Sequence, residues 1–418
     1  MTGKGSAPRV LLVSPLQVVP TQSGGNLRTF SLANALVSHG CEVFVYSFLG
    51  RKAEYLARRG SEVQVWDSGI EEFVDRSFLR FVAGYGSYYF NLPPLWLTKF
   101  LRAATSRVTP LRLPKLLREK LAWSDVVLAD FPFAYPVLNA REASGRLRVL
   151  NLHNVEHHLF ETSAGLKSRM IRRGVQKAEL SAAATADVVV SCSEADQRYF
   201  DDNAEVKRSM LVPNGIDLGR FQRSAEVRAA TRKELQVAED VQLLLFTASK
   251  WGPNSEAFDY LLDFAKQHGE QLVERRIQLL VVGSVVSEPV RVPGLIATGR
   301  VEAVEPYFAA ADAAINPITT GAGTNVKMGE FIAAGLPILV SEFGSRGYRI
   351  EHGESGFVFD REKLLSSLVE MRRRFDEDPD SLRRAAQLAL KDNRAAIDMS
   401  ECVRPLLAAM QEHIASGP

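Results

Sequence analysis

The chain has only three cysteines in 418 residues, Cys41, Cys192 and Cys402. They are odd in number, far apart and without metal-ligand spacing. That excludes a disulfide-stapled scaffold and a zinc ribbon, and it fits reduced thiols in a cytosolic protein. An excess of one charge is also missing: 51 Lys and Arg stand against 49 Asp and Glu, a net charge of +2. Such a balance gives no ground for general nucleic-acid binding. No apolar run approaches the roughly 20 residues that a membrane span needs, so any membrane contact is expected to be peripheral. The N-terminus, MTGKGSAPRVLLVSPL, passes from a short polar tail into a strand-like stretch. It carries neither the apolar core nor the small-residue cleavage site of a signal peptide. Internal repeats and low-complexity segments are absent.

What is there is a globular composition, 46% hydrophobic and 24% charged, in a chain too long for one ordinary core. Strand and helix patterns alternate, which predicts parallel sheets covered by helices. RVLLVSP (Arg9–Pro15) reads as a buried first strand, NLRTFSLANALVSHG (Asn26–Gly40) as a helix closed by glycine, and CEVFVYSF (Cys41–Phe48) as the next strand. DVVLAD, RVLNLH, DVVVSCS and SMLVPNG continue the pattern to Gly215. A linker and a helix follow. A second series then runs through Gln242–Ser249, Ile277–Ser284, Gly294–Arg300, Ala313–Ile318 and Leu336–Ser341. The expected fold class is α/β, with two doubly wound, Rossmann-like domains. Residues 1–215 form the first and 216–400 the second, and a terminal helix over 401–418 is expected to return to the first. Ligands of such sheets sit beyond the carboxyl ends of the strands, and the cleft between two domains is the natural site.

One stretch concentrates chemistry: TGAGTNVKMGEFIAAGLPILVS, Thr320 to Ser341. A triphosphate loop would need Gly before the lysine and a hydroxyl after it, whereas Val326 and Met328 flank Lys327. A dinucleotide fingerprint would need a third glycine where Val326 stands, and it belongs early in the chain. The pattern still places a strand, a glycine-rich loop and a helix in succession, with Thr324 or Asn325 as N-cap. A helix N-terminus suits phosphate. Lys327 and Glu330, three apart, share a helix face. The lysine can neutralise a diphosphate and the glutamate can accept two ribose hydroxyls. The competing reading is a solvated ion pair on a surface helix.

GAGTNVKMGEFIAAGLPILVS resembles the donor-binding signature of GT-B glycosyltransferases of family 4. Four further motifs resemble that family in the expected order: TQSGGNLRTFSLANALVSHGCEV, LVPNGID (Leu211–Asp217), FTASKWGPNSEAFDYLL and TGRVEAVEPYFAAADAAINPI (Thr298–Ile318). The resemblance covers nearly the whole chain. It implies a GT-B fold, with an acceptor-side N-terminal domain and a nucleotide-sugar-binding C-terminal domain. It implies that Glu330 binds the donor ribose and that the N-terminus of its helix faces the diphosphate. Many members carry a second glutamate where this chain has Ala322, so the backbone of Ala322, Gly323 and Thr324, with Asn325, is expected to hold the sugar. The family's diphosphate arginine corresponds to Ser249, and Asn254 or Ser255 lies near its lysine. Lys327 is the candidate replacement cation, and Lys250 is either a second one or a solvated loop lysine. Arg300 and Val301 fall on the base-binding loop.

Gly24 and Gly25 permit close backbone approach before a helix N-terminus, or form a plain turn. Arg28, one turn on, reaches the cleft or solvent. In NLHNVEHHLF (Asn151–Phe160), His153 follows a strand end and is expected to line the donor sugar and acceptor, with Glu156 on the acceptor side. His153, Glu156 and His157 also match H-x-x-E-H, but the leading histidine ends a strand rather than sitting on a helix, so no metal site is expected.

The implied reaction is retaining transfer of a glycosyl group from a nucleotide-sugar, UDP- or GDP-linked, to an acceptor hydroxyl. His153, Lys327 and Glu330 are the catalytic candidates. The nucleotide-sugar is a substrate and no cofactor is implied. Polysaccharide or glycoconjugate synthesis is the expected context, with a sugar, lipid-linked or other hydroxyl acceptor and no nucleic acid. Residues 76–120 hold nine Lys or Arg, one acid and eight aromatics. They read either as a contact with the inner membrane face or a lipid-linked acceptor, or as helices over the first sheet. The expected location is the cytoplasm, with peripheral contact at the inner membrane face on the first of those readings. Two rivals keep the fold: a GT-B nucleotide-sugar epimerase, and a non-catalytic nucleotide-sugar-binding scaffold.

Overall fold

The computed structural model describes residues 7–21, 24–48, 61–75, 113–160, 166–221, 223–321 and 325–417, with backbone only for 159–160 and 166–171. The chain divides into two compact units, residues 1–215 with 399–418, and residues 216–398.

In the first unit, β1 (Arg9–Ser14), β2 (Glu42–Ser47), β3 (Glu62–Val65), β4 (Glu71–Val74), β5 (Val126–Asp130), β6 (Leu147–Asn151), β7 (Val188–Ser191) and β8 (Ser209–Leu211) form one sheet. Its order is β3-β4-β2-β1-β5-β6-β7-β8, parallel except for β3 against β4. β1 and β5 are buried on both faces, which is why they read as unbroken apolar runs rather than alternating ones. The helices are α1 (Gly24–Ser38), α2 (Lys115–Trp123), α3 (Leu166–Thr185) and α4 (Glu194–Asn203). Gly24 and Gly25 form the first turn of α1 itself, not a turn ahead of it. Short α11 (Met399–Cys402) and α12 (Arg404–Ser416) complete this unit. Met399, Cys402, Val403, Leu406 and Met410 are buried in the same core as Val10, Leu12 and Leu32. A Cβ on Gly215 would lie 2.5 Å from the Met399 Cα, so the departing and returning segments run in backbone contact.

In the second unit, β9 (Gln242–Thr247), β10 (Ile277–Val282), β11 (Val290–Val292), β12 (Leu295–Ala297), β13 (Ala313–Asn316), β14 (Ile338–Ser341) and β15 (Phe357–Phe359) lie in the order β11-β12-β10-β9-β13-β14-β15. Only β11 is antiparallel. The helices here are α5 (Ala225–Glu234), α6 (Gly252–Glu274), α7 (Glu305–Ala310), α8 (Val326–Ala333), α9 (Leu364–Glu377) and α10 (Pro379–Ile397). α8 buries Met328, Phe331 and Ile332 and is closed by Gly335 at φ 65°. Beyond β9, β10 and β12 the loops are tied together: Gly283 N donates to Gly299 O at 3.1 Å, and Val285 N to Ala248 O at 3.1 Å.

Among the described residues, no helix is long and apolar enough to cross a membrane. Most of the 76–120 segment lies outside the described residues; its end from Lys115 belongs to α2.

Candidate functional site

At the carboxyl edge of the first sheet, the ends of β1, β5 and β6 bring Ser14, Asp130 and Asn151 together, and α1 adds Arg28 and Thr29. Asp130 is fully buried and receives four hydrogen bonds. Thr29 Oγ1 (2.8 Å) and Ser14 Oγ (3.3 Å) donate to one carboxylate oxygen. Asn151 Nδ2 and His153 Nε2, both at 2.8 Å, meet the other. Burial works to raise the Asp130 pKa, but His153, Thr29 and Asn151 outweigh it and the net shift is downward. Burial lowers the His153 pKa against the pull of Asp130. The pair is therefore a carboxylate and a neutral imidazole that carries its proton on Nε2, leaving Nδ1 as the acceptor nitrogen.

The His153 ring stacks on Phe131 with centroids 3.7 Å apart. A Cβ on Gly25 would sit 3.0 Å from Phe131 Cζ and 3.4 Å from His153 Nδ1, so glycine lets α1 approach the imidazole. Gly24 faces open space. Arg28 does not face solvent: it is buried and donates to Val212 O (2.8 Å), Pro213 O (3.1 Å), Asn214 Oδ1 (3.0 Å) and Asn151 Oδ1 (2.9 Å). A buried arginine needs such partners, and the LVPNGID stretch (Leu211–Asp217) supplies three of them. Asp130 and Asn151 are the residues that sequence reasoning missed. The only signal was a polar residue closing each of two apolar strands.

Glu156 is buried on the short 3-10 turn Glu156–Phe160 beside buried Glu179 of α3. Glu179 accepts from Glu156 N at 2.9 Å and pairs with His157 Nδ1. Burial, then the neighbouring Glu179, pushes the Glu156 carboxyl up to about 7. Burial raises Glu179 to about 7 as well. His153 and His157 are thus each held by a different carboxylate, and the H-x-x-E-H residues do not converge. Among the described residues, no group of His, Cys, Asp or Glu is arranged to hold a metal ion.

In the second unit, α8 starts one residue after Asn325, whose side chain donates not to the helix but to Gly344 O at 3.3 Å. Ala322, Gly323 and Thr324 lie outside the described residues. Lys327 Nζ is 2.6 Å from Asn254 Oδ1 and 4.3 Å from the Phe246 ring centre. Burial lowers its pKa to about 7, against the pull of Glu330. Glu330, 14% exposed at its side chain, has Arg220 NH1 at 3.5 Å, and Arg220 Nε bonds Glu305 at 2.7 Å. Burial raises the Glu330 pKa, opposed by Arg220 and Lys327. Lys250 is exposed on the loop after β9. Next to it Trp251, 49% exposed, lies with its ring edge 3.0 Å from where a Gly321 Cβ would be, another residue the sequence did not single out. Arg300 and Val301 line a cavity of about 600 Å³ with Thr231, Leu235, Arg291 and Tyr307. Lys250, Lys327 and Glu330 are not part of that lining; Glu305, the first residue of α7, is linked to Glu330 through Arg220.

Two family models match the chain in succession: Glycosyltransferase Family 4 over residues 23–220, and Glycosyl transferases group 1 over residues 241–374. The chain belongs to glycosyltransferase family 4. This is a retaining family of the GT-B fold. A D-inositol 3-phosphate glycosyltransferase of Geodermatophilus obscurus is 29% identical over 195 residues, 42% of this chain and 42% of that protein. The chain thus matches less than half the length of this curated relative. Anabaena HepE in complex with UDP and glucose superposes with a TM-score of 0.60 at 15% identity, covering 96% of this chain and 99% of that one. Sucrose-phosphate synthase of Thermosynechococcus elongatus superposes with a TM-score of 0.60 at 14% identity, covering 98% and 100%. At such identities the likeness is one of fold.

Proposed function

We propose that this family-4 enzyme transfers a sugar from a UDP-sugar to an acceptor hydroxyl with retention, in polysaccharide or glycoconjugate assembly. The observation that carries the donor half is Glu330. Its carboxyl, 14% exposed, lies on α8, directly after the glycine-rich loop; burial raises its pKa, and Arg220 and Lys327 oppose that shift. An ionised carboxylate accepts two hydroxyl hydrogens, the pattern a ribose diol presents. The choice of uridine is supported by HepE, which has been solved with UDP and with UDP-glucose.

In the transfer, the bond from the anomeric carbon to the diphosphate oxygen breaks. A bond to the acceptor oxygen forms on the same face, and the acceptor proton leaves with the diphosphate. The N-terminus of α8 stabilises the negative charge that develops on the leaving group. In the first unit, Asp130 is committed to four donors and His153 is neutral. Those states suit orienting and accepting hydrogen bonds from sugar hydroxyls rather than nucleophilic attack.

The test is a thermal-shift panel of UDP-, GDP-, ADP- and dTDP-sugars on the wild type and on Glu330→Ala. A ligand at about 100 times its Kd adds about 2.7 kcal/mol. One donor should therefore raise the wild-type Tm by several degrees and leave the variant unmoved. That donor should then be turned over, with release of nucleoside diphosphate. Equal shifts in both proteins would remove Glu330 from the ribose. Donor binding without turnover on any acceptor would leave the scaffold reading in its place.

A further inference from the structure

The donor side of the second unit has an electrostatic gap. Ser249 stands where the family resemblance places a diphosphate arginine. Lys327, the expected substitute, is turned to Asn254 and to the Phe246 ring, and burial works against its charge. Lys250 is on an exposed loop, where its backbone N–H donates to Ser284 Oγ at 3.3 Å.

The turn after β14 carries another cation, and the turn itself is held in place. Gly344 O receives Asn316 Nδ2 at 3.2 Å and Asn325 Nδ2 at 3.3 Å, so the end of β13 and the N-cap of α8 are both tied to this turn. Ser341 Oγ receives Gly344 N at 2.9 Å and bonds Ile318 O, which joins the turn to the start of the glycine-rich loop as well. A Cβ on Gly344 would lie 2.8 Å from Ser341 Oγ and 3.0 Å from both Asn316 Nδ2 and Asn316 O, so the position admits only glycine without displacement. Two residues on, Arg346 is exposed. Its guanidinium carbon is 4.3 Å from the Phe343 ring centre, and NH2 is 3.5 Å from Gly321 O, on the glycine-rich loop itself. A guanidinium keeps its charge at every working pH and presents a fork that matches phosphate oxygens.

We infer that Arg346 is the cation that holds the donor diphosphate in this chain, in place of the arginine absent at Ser249. The assignment rests on the nucleotide-sugar reading above.

The experiment is calorimetric titration of UDP and of uridine into the full chain as wild type, Arg346→Gln and Arg346→Lys. Arg346→Gln should bind UDP at least about tenfold more weakly, uridine equally well, and UDP with a shallower salt dependence. Arg346→Lys should recover part of the UDP affinity. Arg346 is exposed, so the Tm of both variants should stay at the wild-type value. Should Arg346→Gln lower it, the UDP-to-uridine ratio of Arg346→Lys decides. An unchanged UDP affinity in Arg346→Gln, or equal losses for UDP and uridine, would overturn the assignment. A wild type that binds neither UDP nor any other nucleoside diphosphate would overturn the donor reading and this assignment together. Wild-type UDP binding that Glu330→Ala loses, but Arg346→Gln keeps, would overturn this assignment alone.

Discussion

Lys327 illustrates a buried cation that costs stability. Its pKa falls from 10.5 to about 7 because burial disfavours the ammonium, while the unfolded chain keeps the ordinary value. A folded pKa lowered in this way means that the unfolded state binds more protons between pH 7 and 10.5, so stability rises with pH across that window. The penalty is fully present below pH 7. Allowing for the partial exposure of the side chain, it amounts to about 2 kcal/mol at neutral pH. Lys327→Met, which keeps the stem on Phe246, should raise the Tm at pH 7 and flatten the rise between pH 7 and 10, measured by thermal melts across pH. A variant less stable than wild type at pH 7 would show that the bond to Asn254 outweighs the burial. The sequence made half of this residue legible. The spacing of Lys327 from Glu330 and the glycine-rich approach were plain. Its partner Asn254 is 73 residues away, and no local pattern announces it. The same limit hid Asp130, since an aspartate that closes an apolar strand looks like any strand terminator until three other elements bring it four donors. The burial of Arg28 is hidden for a related reason: its partners Val212, Pro213 and Asn214 lie more than 180 residues away in sequence.

The elements that read clearly are those buried on both faces. β1, β2, β5, β9 and β10 form apolar runs that only a central parallel strand explains. The missed strands, β3, β4, β11 and β15, are short, and all but β4 lie at a sheet edge. β11 and β15 have three residues each, too few for any period to show. β4 contains Glu72, a charged residue at a buried strand position. Glu72 is tolerated because it accepts hydrogen bonds from Val18 N, Val19 N, Ser47 Oγ, Gln64 Nε2 and Trp66 Nε1, and so pins the loop between β1 and α1. The second unit has a similar device in glycine. Gly283 ends β10 at φ 127°, and a Cβ there would meet Ala248 O at 2.4 Å. Gly283→Ala therefore combines backbone strain with a collision against main chain, each worth about 1–3 kcal/mol. Urea denaturation should show a loss of more than about 2 kcal/mol. A near-neutral result would mean that the loops after β9 and β10 can separate without cost.

At the scale of the molecule, the first unit is discontinuous and the second is not. Residues 216–398 form one uninterrupted unit, whereas the core of the first contains Met399, Val403, Leu406 and Met410 from the other end of the chain. Residues 216–398 expressed alone should fold with a cooperative urea transition. Residues 1–215 alone should aggregate or bind a hydrophobic dye, and adding a peptide of residues 399–418 should reverse this. A soluble, cooperatively folding 1–215 fragment would show that the returning segment only decorates a finished core. The backbone contact of Gly215 with Met399 then has a consequence for how the protein is made. On the ribosome, the first unit emerges first but must wait, its apolar surface uncovered, while all of the second unit is translated and free to fold. The piece synthesised earliest is thus the one completed last, and a stop in translation just after Asp398 releases a chain whose second unit is whole and whose first is a substrate for chaperones and proteases.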